Sequence, residues 1–105
     1  MKLLVITAIL EFEKEIKAVL KKAHVNAYSY QEVVGYQNNT SEAMQTNWFG
    51  SEVGENPSIL VYALVLEPHA DKVFEAFNLF NQEQETASRI HIAVLNIEKS
   101  NYYEK

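Results

Sequence analysis

Two stretches of this chain are apolar at nearly every position: Leu3-Leu4-Val5-Ile6-Thr7-Ala8-Ile9-Leu10 and Ile59-Leu60-Val61-Tyr62-Ala63-Leu64-Val65-Leu66. Neighbouring side chains of a strand point to opposite faces, so neither stretch offers a face to water. The rest of the pattern supplies only two helices, enough to roof one side of a sheet. Leaving the other side in water would cost about 25 cal/mol for each Å² of apolar surface, which predicts that further copies of the chain bury it.

The elements between these strands follow from changes of period. Phe12, Ile16, Val19, Leu20 and Ala23 recur at helical spacing opposite Glu13, Lys14, Lys17 and Lys21, predicting an amphipathic helix from about Glu11 to His24. Ala27 to Gln37 mixes Tyr28, Tyr30, Val33 and Val34 with Ser29, Gln31 and Glu32, as an edge strand with one wetter face would. Asn38 to Ser58 shows no sustained period and contains Gly50, Gly54 and Pro57, so it reads as a long loop. Pro68 opens a second helix with Val73, Phe74, Phe77 and Phe80 as its buried stripe. Asn81 to Ser88 ends that helix, and Arg89 to Ile97 returns as the last strand.

The order β-α-β, loop, β-α-β is that of an α+β ferredoxin-like sandwich: a four-stranded antiparallel sheet with two helices on one face and the first and third strands in the centre. Those two are the doubly apolar strands. Residues 1–105 read as a single domain carrying a long insertion at about 38–58.

Composition removes several classes of function. A formal charge of -5 with one arginine argues against tracking a nucleic-acid backbone. The absence of cysteine excludes disulfides, thiolate metal sites and cysteine nucleophiles. The apolar N-terminal stretch is too short to span a membrane and has no small-residue cleavage site, so the expected location is the cytoplasm, without membrane insertion. No nucleophile motif or paired acid and base occurs, and the single aspartate, Asp71, sits early in the second helix, where it complements the helix dipole. The chain reads as no enzyme.

More specific are Met1-Lys2-Leu3, Thr7-Ala8-Ile9-Leu10, the first helix as far as Lys22, and above all Ser29-Tyr30-Gln31-Glu32-Val33-Val34-Gly35-Tyr36. This last run resembles the T-V-T-E-V-K-G-F strand of the PII signal-transduction family, which leads into that family's long T-loop. The resemblance implies a non-catalytic homotrimer that binds an adenine nucleotide or related effector in clefts between subunits and contacts a partner protein through the loop. It places Ser29 on the adenine side of the cleft, Gly35, Gln37, Asn38 and Asn39 at the base of the T-loop near phosphates, and Arg89 as the basic residue opening the last strand.

The sequence also departs from that family. The pattern G-F-G-R-Q reads Gly35-Tyr36-Gln37-Asn38-Asn39, and the glycine-rich phosphate loop is replaced by Asn81 to Ile90, with no glycine and two glutamates. Backbone amides cradle phosphate where glycine lets the chain turn tightly, so the usual mode of ATP binding lacks its loop. The tail, Glu98 to Lys105, lacks the family's basic pair, and Asn38 to Ser58 holds no tyrosine for nucleotidylation.

Two alternatives stand beside this reading. Arg89 and His91, two apart on a strand, share a face, where Arg89 serves either an anion or a surface ion pair with Glu83 or Glu85. His24 and His69 read as surface residues near helix ends. A trimer resembling CutA proteins could also assemble a metal site from His91 and glutamates across a subunit boundary, although no H-x-x-x-H or H-x-H motif is present.

Overall fold

The computed structural model describes residues 1–37 and 54–101. Strand β1 (Lys2–Ile9) passes through a 3₁₀ turn (Leu10–Phe12) into α1 (Glu13–Lys22). Then follow β2 (Ser29–Gln37), β3 (Gly54–Val65), α2 (Glu67–Glu83) and β4 (His91–Asn96). The sheet is antiparallel in the order β2-β3-β1-β4, so the two doubly apolar strands are its centre, as the pattern predicts.

Register separates the two faces, because residues directly opposite each other in an antiparallel pair share a face. Leu4 lies across from Ala63, Ile6 from Val61, and Ala8 from Ile59. None of these six is more than 4% exposed, and they pack with Ile16 and Leu20 of α1 and Ala70, Val73 and Phe77 of α2. Burying each large member of this set contributes about 1.5–3 kcal/mol. The opposite face carries Leu3 against Leu64 and Leu95, Val5 against Tyr62 and Ala93, and Thr7 against Leu60 and His91. No described helix lies on it, and Tyr62 and Leu95 are 48% and 44% exposed.

Local contacts explain where the helices start and stop. The Phe12 ring meets Phe80 edge to face at 5.2 Å, pinning the turn before α1 to the end of α2. Helix α1 ends in a Schellman motif: Val25 N–H donates to the Leu20 carbonyl and His24 N–H to that of Lys21, with His24 in the left-handed region at φ 63°. His69 is more than a surface residue, since its Nδ1 bonds the Ala23 carbonyl at 3.0 Å and ties the start of α2 to the end of α1. Lys17 pairs with Glu13 at 3.4 Å and sits 4.4 Å above the Tyr30 ring. Partial desolvation pulls the Lys17 ammonium down, but the hydrogen bond and charge of Glu13, helped by Tyr30 and Tyr28, prevail and raise it above its ordinary range.

Three expectations need correction. Residues 54–58, read as loop, belong to β3, which runs past the end of β1 as a two-stranded ribbon with β2. Pro57 fits there because it lies just beyond Ser58, the last residue of β3 paired with β1. Phe74 is 41% exposed, and the buried stripe of α2 runs through Ala70, Val73 and Phe77 instead. Strand β4 begins at His91, so Arg89 lies before it and does not share a strand face with His91. The remainder of the expected loop, 38–53, lies outside the described residues.

Candidate functional site

Because β3 outruns β1, the sheet has a step at one end, and a cleft of about 630 Å³ opens there. Small-molecule sites commonly span about 300–1,000 Å³. Its floor is the chain leaving β1, Ile9 to Phe12, where the 3₁₀ turn sets Glu11 at the rim. One wall is Asn56 and Pro57 of β3, and the other is formed by Gln84, Thr86 and Ser88 between α2 and β4.

That second wall is fixed by side-chain hydrogen bonds. Asn81 Nδ2 donates to the Ile90 carbonyl and Ile90 N–H donates to Asn81 Oδ1, both at 2.8 Å, which closes the base of the loop. Gln84 Nε2 donates to Thr86 Oγ1 at 3.0 Å. Arg89 Nη1 donates to the carbonyls of both Thr86 and Ser88. The guanidinium therefore clamps the loop, in a role neither sequence alternative described. No ion pair between Arg89 and Glu83 or Glu85 occurs among the described residues.

The other expected site residues divide between two places. Gly35 lies opposite Asn56 and so adjoins the cleft wall. Gln37 lies opposite Gly54, is 6% exposed, and its Oε1 accepts no hydrogen bond among the described residues. Ser29 is at the far end of β2, opposite Tyr62, where it borders a smaller recess with Tyr28 and Leu64. At the rise of a strand, Ser29 and Gly35 are about 20 Å apart. Asn38 and Asn39 lie outside the described residues.

Sequence reasoning missed Glu11, placed in a helix, and Asn56, placed in a loop; a polar residue beside a proline at the start of an apolar strand was the only signal for the latter. Among the described residues no group of three His, Cys, Asp or Glu side chains is arranged to hold a metal ion.

No family model matches the sequence, and no curated protein does. Solved structures do. CPII, a nitrogen regulatory PII-like protein from Thiomonas intermedia K12 bound to ADP, AMP and bicarbonate, superposes with a TM-score of 0.61 at 16% identity, covering 94% of this chain and 93% of its own. The fold is PII-like. A Thermus thermophilus protein described as a putative PII-like signaling protein gives the same TM-score, 0.61, at 19% identity over 91% of this chain and 85% of its own. Within this PII-like fold, the glycine-free segment 84–88 is a loop clamped through its carbonyls by Arg89. No described helix is long and apolar enough to cross a membrane.

Proposed function

We propose that this chain is a non-catalytic PII-like regulatory protein of the cytoplasm, acting as a homotrimer that binds a small effector between subunits. The long segment between β2 and β3 then contacts a partner protein. The observation carrying this reading is the second apolar face of the sheet, with Leu3, Val5, Leu60, Tyr62 and Leu64 on one surface and no described helix over it. Burial by copies of the chain relieves that exposure, and three is the number the PII resemblance implies.

An effector between subunits is supported by the division of the expected site. Ser29 and Gly35 lie at opposite ends of β2, too far apart to grip one small molecule within a chain, whereas one copy's Ser29 and another's Gly35 can flank a shared cleft. CPII was solved with ADP, AMP and bicarbonate, which supports an adenine-containing effector.

A thermal-shift screen of ATP, ADP, AMP, cyclic nucleotides, bicarbonate and divalent metals tests this, since a ligand of the native state alone raises apparent stability by mass action. An adenine compound should raise the melting temperature. A shift with metals alone, or turnover of a nucleotide, would contradict the proposal.

A further inference from the structure

We propose that the cleft beside the 3₁₀ turn selects an uncharged, nucleoside-sized ligand and disfavours polyphosphates. This rests on the effector-site reading above and specifies its ligand.

Among the described residues lining the cleft the only ionisable side chain is a carboxylate, Glu11, and no lysine or arginine joins it. Polyphosphate recognition uses cations or several converging backbone amides, and a carboxylate in the same cleft opposes each phosphate charge. The one arginine of the chain is directed to the Thr86 and Ser88 carbonyls.

The neutral chemistry of the walls points the same way. Ile9, Leu10 and Pro57 offer apolar surface for a ring, while Asn56, Gln84 and Thr86 carry amides and a hydroxyl suited to ring nitrogens and sugar hydroxyls. The loop from Gln84 to Ser88 contains no glycine, and side-chain bonds within it and at its base hold its shape.

Titration calorimetry of the full-length protein with adenosine, AMP and ATP, without divalent metal, tests the proposal. Adenosine should bind tightest and ATP at least about tenfold more weakly. Glu11→Lys should strengthen ATP binding about tenfold and leave adenosine within a few-fold; Glu11 is exposed, and circular dichroism checks that the variant folds. ATP binding as tightly as adenosine, or ATP affinity indifferent to Glu11→Lys, would overturn this inference and leave the effector reading standing. Binding of none of the three would overturn both.

Discussion

The Asn81 carboxamide and the Ile90 backbone exchange two hydrogen bonds of 2.8 Å, an arrangement equivalent to one rung of a sheet made by a side chain. It joins the end of α2 to the residue before β4 and sets the span over which the cleft wall must close. Ile90 is 1% exposed, so water cannot readily replace Asn81.

Asn81→Ala should therefore destabilise the fold by about 2–3 kcal/mol, because it leaves an N–H and a carbonyl of Ile90 without their partner. Asn81→Asp should cost at least as much, since a carboxylate still accepts from the N–H but sets a charged oxygen against the carbonyl to which the amide donated. Urea denaturation of both variants checks the order.

Arg89 holds the same wall from the other side. Its substitution by alanine should speed amide exchange across 86–88 and weaken ligand binding about tenfold, or about 1.4 kcal/mol. Arg89→Lys should restore part of the loss, because both bonds leave the single nitrogen Nη1 and an ammonium can also donate twice, although from a differently shaped side chain. Lys99→Ala, a change of equal charge at an exposed site beyond β4, should leave affinity nearly unchanged; equal losses in the two alanine variants would mean that net charge, not geometry, matters.

His24 offers a gain of stability. It occupies the left-handed position of the Schellman motif at φ 63°, where a β-carbon is strained and glycine is not. His24→Gly should stabilise the fold by about 0.5–1 kcal/mol after allowing for the greater freedom of glycine in the unfolded chain. The melting temperature, measured at fixed protein concentration, should rise by a few degrees.

How much of this was legible in the sequence depended on the range of the signal. The central place of β1 and β3 was legible because apolar residues at every position declare burial on both sides, and Pro68 marked the start of α2 correctly. Which face Val61 and Tyr62 take was not legible, since both are apolar; only the register shows Val61 in the core and Tyr62 outside. The start of β3 was obscured because Asn56, Pro57 and Ser58 have loop chemistry, yet pairing with Val33, Val34 and Gly35 keeps them in the ribbon. Phe74 looked buried because aromatic residues at 74, 77 and 80 suit helical spacing, while the small Ala70, which carries the stripe, gave no signal. The cleft was the least legible part, being assembled from three segments far apart in the chain whose only shared property is adjacency in the fold.

Whether other copies of the chain cover the face bearing Val5, Tyr62 and Leu64 is decided by the molar mass in solution. Light scattering at micromolar concentration should give three times the chain mass of 12.0 kDa. Tyr62→Glu, which places a charge on that face without entering the helix-packed core, should reduce the mass toward one chain while the helical circular dichroism persists. A mass of 12.0 kDa for the unmutated protein would mean that this face stays open to water and that no trimer forms.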